Sequence, residues 1–318
     1  MKRTNLPWML LVIICCLTVL FVSCLSMEGD GSEKETIKNG DGTSETSTAQ
    51  VQVISTEVVA TATKQVVQAT KTKGVIATLI DVVEDCENSC GSVHQVLIPV
   101  SDNSKEMITH IYLPPCYSEN QDRYYPLLIL LHGQSFTADQ WLDLGLKEYL
   151  DKSFANQEGG IIVVLPEEND YLLPIIDSSF DDMIVNDLLK YLEENYHISP
   201  MREERAIGGI SRGATWALKI ALNHWEEFGG IGLHSYPGGL NSTILLIQRI
   251  PDEEIPAIYI DTGINDTYLN AATALNEELN QFQIPHEWHL NEGRHTQEYW
   301  SENLPNYMEW YLAQLSSE

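Results

Sequence analysis

The chain has 318 residues, of which 43% are hydrophobic, with 46 acidic against 18 basic side chains and a formal net charge of −28 at pH 7. That balance excludes a nucleic-acid-binding role, which runs on cationic side chains, and the apolar and aromatic content excludes a disordered acidic tail. The length is about twice the usual ~150 residues of a domain, so the choice between one domain and two has to be made along the chain.

Lys2 and Arg3 precede an apolar run from Trp8 to Val22, the charged and apolar regions of a secretory signal. At roughly 15 residues the run is shorter than the ~20 of a spanning helix. Phe21-Val22-Ser23-Cys24 resembles a bacterial lipobox, with Phe21 where Leu is usual, so Cys24 is the candidate lipidation site. Ordinary cleavage nearby and a retained helix stay open. The reading is an exported chain whose only membrane contact is an N-terminal lipid or signal anchor, or else a secreted one. Residues 25–74, rich in Gly, Ser, Thr, Glu and Lys, read as a flexible linker. Residues 75–318 hold 39 acidic against 11 basic side chains and thus nearly all the net charge, which disfavours polyanionic substrates. Export permits disulfides, and Cys86, Cys90 and Cys116 allow one pair and one odd thiol, with the pairing open. No metal-ligand spacing accompanies them, and neither metal nor cofactor is expected.

Short strand-like runs open the next region: Val75 to Val83, Ser92 to Val100 and Met107 to Leu113, an antiparallel lead-in. Leu127 to Leu131, Ile161 to Leu165, Arg205 to Ile210, Gly229 to Leu233 and Ile258 to Ile260 are continuous apolar runs, as in strands buried on both faces of a parallel sheet. Helical patterns alternate with them at Asp139 to Asn156, Asp181 to Tyr196, Ala214 to His224 and Tyr268 to Gln281, and a last one runs from Glu298 to Leu315. The alternation predicts one α/β domain over 75–318, a mainly parallel sheet between helical layers with an antiparallel N-terminal edge.

Gly209-Ile210-Ser211-Arg212-Gly213 is a G-x-S-x-G motif between a buried strand and a helix. A serine at such a turn has its hydroxyl exposed above the sheet, and the helix N-terminus offers N–H groups to a developing oxyanion. A serine hydroxyl needs a histidine base and an orienting carboxylate, and where the serine sits at such a strand-to-helix turn they follow it in the order acid, then histidine. Of the later histidines, His224 ends a helix, and His286 and His289 flank Trp288 in a strand-like run; His295 stands in a turn before the last helix and is the candidate base. Asp266, in Gly263-Ile264-Asn265-Asp266, is preferred as the acid, with Asp261 second and Glu292 third; an N-cap role is the alternative for Asp266. The N–H groups of Arg212 and of Gln134, in His132-Gly133-Gln134-Ser135, are the candidate oxyanion-hole donors. His132 reads as a loop organiser, and Trp141, Tyr171 and Tyr236 as packing residues or pocket walls.

These blocks, with Tyr112-Leu113-Pro114-Pro115, Tyr125-Pro126, Gly293-Arg294-His295 and Tyr299-Trp300, resemble the esterase family of α/β-hydrolases that includes esterase D, feruloyl and acetylxylan esterase-like enzymes, enterochelin esterases and mycolyltransferases. The resemblance runs from about Ser92 to the C-terminus. It implies a three-layer α/β-hydrolase sandwich, places Ser211, Asp266 and His295 at the triad positions, and departs at Ala214, where many members have Gly. It implies serine ester hydrolysis of an acyl or acetyl ester of a carbohydrate, phenolic or other small substrate, without a cofactor. Mycolyl-type acyl transfer, and a non-catalytic binding protein on a hydrolase scaffold, are the competing expectations.

Overall fold

The computed structural model describes residues 90–101, 106–117, 123–155, 159–240 and 242–316. The signal segment, Cys24, the linker, Cys86 and the Val75 to Val83 run lie outside the described residues.

The continuous apolar runs become the middle of a sheet. Strands β3 (Leu127–Leu131), β4 (Ile162–Pro166), β5 (Arg205–Ile210) and β6 (Gly230–His234) are buried at every position. With β1 (Ser92–Ile98), β2 (Met107–Leu113), β7 (Ala257–Gly263) and β8 (Glu287–Asn291) they form an eight-stranded sheet of order β1-β2-β4-β3-β5-β6-β7-β8. The β1–β2 and β2–β4 pairs are antiparallel and the rest parallel, which is the expected architecture with its antiparallel edge.

Alternate side chains of one strand serve opposite layers. Leu127 and Ile129 face a core built with α5 (Arg212–Asn223) and α7 (Leu269–Gln281). Leu128 and Leu130 face a second core built with α1 (Gln140–Asp143), α2 (Leu146–Phe154) and α8 (Gln297–Leu315). In α8 the buried Trp300, Leu304, Tyr307, Tyr311 and Leu315 recur at helical spacing and make the apolar stripe. Pro305 sits on its exposed side.

Two helical expectations are corrected in detail. Asp139 to Asn156 is two helices, because Gly145 takes φ +95°, a left-handed conformation that breaks the run. Asp181 to Tyr196 begins one residue earlier, as α3 (Phe180–Asp182), and passes through a π-helical segment, Met183–Leu188, into α4 (Leu189–Asn195). A short α6 (Thr243–Ile247) had no counterpart in the pattern. Cys116 is disulfide-bonded. Among the described residues no helix is long and apolar enough to cross a membrane.

Candidate active site

Every residue of the site follows the carboxyl end of a parallel strand, where α/β sheets open to ligands. Ser211 stands between β5 and α5 with φ 54° and ψ −118°, a strained conformation worth about 1–3 kcal/mol that persists only where the surroundings impose it. They do so by close approach. A Cβ at Gly209 would lie 2.3 Å from the Gly213 carbonyl carbon, and one at Gly213 would lie 2.4 Å from the Leu131 oxygen. The turn is pinned by Ser211 N–H donating to the His234 carbonyl at 2.8 Å and Ala214 N–H to the Ser211 carbonyl at 2.8 Å. Ala214, the departure from the family pattern, is fully buried.

The loops after β7 and β8 are knitted by Ile264 N–H to Asn291 O at 2.8 Å and Asn265 N–H to Gly293 O at 3.0 Å. This brings Asp266 to His295. His295 Nδ1 lies 3.0 Å from each Asp266 carboxylate oxygen, and Nε2 lies 2.9 Å from Ser211 Oγ. An ionised carboxylate only accepts, so Nδ1 carries the proton and Nε2 is free to accept from the serine. Burial pushes the Asp266 carboxyl up, but hydrogen bonds from His295, the Tyr268 amide and the Ser235 side chain outweigh it and hold it below the usual carboxylate range. The His295 side chain is 20% exposed and that of Asp266 is 0% exposed, so the ring meets solvent and the carboxylate does not.

Asp261, the second-choice acid, lies inside β7 and binds His234 instead; Glu292 is exposed. His224 caps the end of α5, His286 bonds Ile284 O and Asn276 Oδ1, and His289 stacks on Tyr259.

Ser211 and His295 open into a cleft of about 310 Å³ with Gly133, Gln134, Ser135, Phe136, Tyr268 and Trp300 among its walls. Tyr268 and Trp300 set their rings edge-on to His295, with centroids 4.9 and 5.0 Å away. A larger cavity, about 530 Å³, is lined by Glu167, Glu168, Asp170 and Asp177 among others and has neither Ser211 nor His295 in its walls.

Leu131 pairs with Gly209, which sets the loop after β3 beside the serine turn. In that loop Gly133 N–H donates to Gln140 Oε1 at 2.7 Å, and Gly133 O accepts from Phe136 N–H at 3.1 Å. His132 Nδ1 also lies 2.9 Å from Gly133 O. Since N–H and C=O of one peptide point in opposite directions, anchoring Gly133 O aims the Gln134 N–H the other way. Arg212 is the first residue of α5, where a main-chain N–H has no carbonyl one turn behind it. Its side chain turns away to Glu168.

The model of the Esterase family, described as "Putative esterase", matches residues 102–311. The chain belongs to this family. An acetyl esterase of Caldicellulosiruptor saccharolyticus is 25% identical over 222 residues, 58% of this chain and 82% of that protein. An esterase of Mycobacterium tuberculosis is 29% identical over 147 residues, 43% of this chain and 31% of that protein. This chain spans only about a third of that relative and of a Corynebacterium glutamicum protein it also matches, 31% and 30% of their lengths. A solved ferulic acid esterase superposes with a TM-score of 0.63 at 20% identity, over 71% of this chain and 99% of its own. That likeness is one of fold, the α/β-hydrolase esterase fold.

Glu168, Gln140 and Ser235, which are not among the sequence candidates, hold the site from behind. No motif marks them. The partners of Glu168 and Ser235 are distant in the chain, and only the strand order brings them together.

Proposed function

We propose that the chain is an exported serine ester hydrolase in which Ser211, His295 and Asp266 act as nucleophile, base and orienting acid. The observation that carries this reading is the unbroken hydrogen-bonded line from Ser211 Oγ through His295 to Asp266 at the mouth of a cleft. Ser211 Oγ attacks the ester carbonyl carbon while its proton passes to His295 Nε2. The oxyanion is met by the main-chain N–H groups of Arg212 and Gln134. The tetrahedral adduct collapses to an acyl-serine as the imidazolium gives its proton to the departing alcohol. A water then repeats the attack, losing its proton to His295, and releases the acid and the free serine. Asp266 stays ionised throughout and balances the imidazolium charge.

The substrate we infer is a short acyl ester, such as an acetyl or phenolic ester on a carbohydrate or other small alcohol. The relatives named acetyl esterase and ferulic acid esterase support that class, and the charge of −28 disfavours polyanions. The signal-like Lys2-Arg3 and Trp8 to Val22 segment supports export, with Cys24 as the proposed lipid anchor point. The test is labelling with a fluorophosphonate followed by an ester panel of acetyl, acetyl-sugar, feruloyl and long-chain substrates. A covalent adduct at Ser211 and turnover of short esters are expected, both absent from Ser211→Ala. A folded chain that neither labels nor turns over any ester is a binding protein instead.

A further inference from the structure

Glu168 is 4% exposed, carries a charge, and lies two residues past the end of β4 in a loop that contributes nothing to the triad. A carboxylate sealed to that degree is costly unless paired and hydrogen-bonded. Both of its ends are used. Its main-chain N–H donates to His132 Nε2 at 2.9 Å, so Nδ1 bears the ring proton and donates to Gly133 O at 2.9 Å. Its carboxylate takes Arg212 through two parallel bonds, Nε to Oε2 at 2.7 Å and Nη2 to Oε1 at 2.5 Å, and Arg212 Nη2 reaches on to Leu173 O at 2.8 Å. The Arg212 side chain is only 11% exposed, and its guanidinium lies 5.8 Å from the Trp216 ring centroid.

These contacts converge on the two proposed oxyanion donors. The main chain of Glu168 fixes His132, which anchors the Gly133–Gln134 peptide and thereby the direction of the Gln134 N–H. The carboxylate of Glu168 fixes the side chain of Arg212, whose own N–H is the other donor. We propose that Glu168 is a positioning residue that sets the spacing and aim of the oxyanion hole by holding the β3 loop with its backbone and the serine turn with its carboxylate. The idea rests on the hydrolase reading above. A developing oxyanion needs its donors within a few tenths of an ångström of hydrogen-bond distance, and a bidentate Arg–carboxylate pair supplies that precision where a single contact would leave a hinge.

The test uses the full chain, with active sites counted by fluorophosphonate titration and rates expressed per titrated site. Removing one oxyanion donor outright costs about 10²–10³-fold in kcat, so a displaced donor should cost less. Glu168→Ala is expected to lower kcat for p-nitrophenyl acetate by roughly 10–100-fold with KM within about threefold, and to weaken an alkylboronic acid, which mimics the tetrahedral adduct, by the same factor. Glu168→Gln keeps the shape and the main-chain N–H, and should lose about tenfold. It serves as the variant of record if the alanine chain does not fold. Arg212→Met should match the Gln variant, and the double variant should fall no further, because both break one interaction. Unchanged kcat per site in Glu168→Gln, additive losses in the double variant, or boronate affinity that stays level while kcat falls would each overturn the proposal. A wild-type chain that fails to titrate at all is the failure of the hydrolase reading, and is thus distinguishable.

Discussion

Two His–Asp pairs sit at neighbouring strand ends, and they have become different things. His295 and Asp266 meet at 3.0 Å, His234 and Asp261 at 2.7 Å. The first pair opens on a cleft and has a serine hydroxyl at its free nitrogen. The second is 0% exposed on both side chains, and its free nitrogen meets the Tyr311 hydroxyl at 2.9 Å. Asp261 also accepts from Tyr299 at 2.6 Å and Tyr307 at 2.8 Å, and Tyr307 stacks on the imidazole with centroids 3.8 Å apart. Burial, and then the Asp261 charge, push these phenols well above their ordinary range, so they remain donors. Strands β5 and β6 leave a slot for α8 to reach in: a Cβ at Gly208 or Gly232 would fall 1.7 or 1.8 Å from the Tyr311 hydroxyl. What separates the proposed catalytic pair from the sealed one is the partner of the second nitrogen and a path to solvent. Pairing alone does not decide it.

The two aspartates should respond in opposite ways to loss of the carboxylate. Asp266→Asn should lower kcat by about 10⁴-fold, the loss expected when a triad acid no longer sets the tautomer, while the melting temperature moves little. Asp261→Asn should do the reverse. Each buried hydrogen-bonding group left without its partner costs about 1–3 kcal/mol, a loss denaturant titration would detect, while kcat per titrated site should stay within a few-fold. Large activity losses from both, with both folded, would mean that Asp261 belongs to the reaction.

Ser235 is where the two pairs touch, and it sharpens the boundary between them. It follows His234, its N–H donates to Asp261 O at 2.9 Å, and its Oγ accepts from Trp300 Nε1 at 2.9 Å. Its side chain also hydrogen-bonds the Asp266 carboxylate. Ser235→Ala removes both side-chain hydrogen bonds, each worth about 1 kcal/mol net; losing the one to Asp266 should lower kcat by roughly 5–10-fold, and losing the one from Trp300 should cost about 1 kcal/mol of stability. A pure stability loss would place Ser235 with the sealed pair.

How much of this was legible in the chain follows from distance along it. The central strands declared themselves because burial on both faces leaves no polar alternation, and the serine turn because Gly209 and Gly213 cannot carry a Cβ. Asp266 could be ranked above Asp261 but not separated from it, since both follow the same apolar run. The separation depends on Asp261 falling two residues inside the end of β7, opposite His234, and on the tyrosines of α8, contributed from the far end of the chain. The Gly145 break does not show in the sequence because one glycine inside a helical pattern is usually tolerated. Glu168 and Gln140 gave no signal, because a buried polar residue is identified by its partners and not by its neighbours in sequence.

The smallest expected effect concerns the loop that faces the serine. Burial pushes His132 below its ordinary value of 6.5, and a proton on Nε2 would abolish the contact with the Glu168 N–H. As pH falls through 6.5 the unfolded chain binds a proton that the folded chain refuses, so folding stability is level above that pH and declines below it, until the lower folded-state value is reached. Asp266 responds lower on the scale: its depressed carboxyl contributes stability above the ordinary carboxylate value of about 3.9, lost only as pH falls through its folded value. The His132 window therefore opens at 6.5, above the carboxylate range. One pH unit there is worth at most about 1.4 kcal/mol, or about 3–6 °C in a domain of this size. His132→Gln retains an acceptor for Glu168 and cannot titrate, so between pH 7.5 and 5.5 its melting temperature should fall by less than that of the wild type. Equal falls would place the pH sensitivity elsewhere and leave His132 to its geometric task alone.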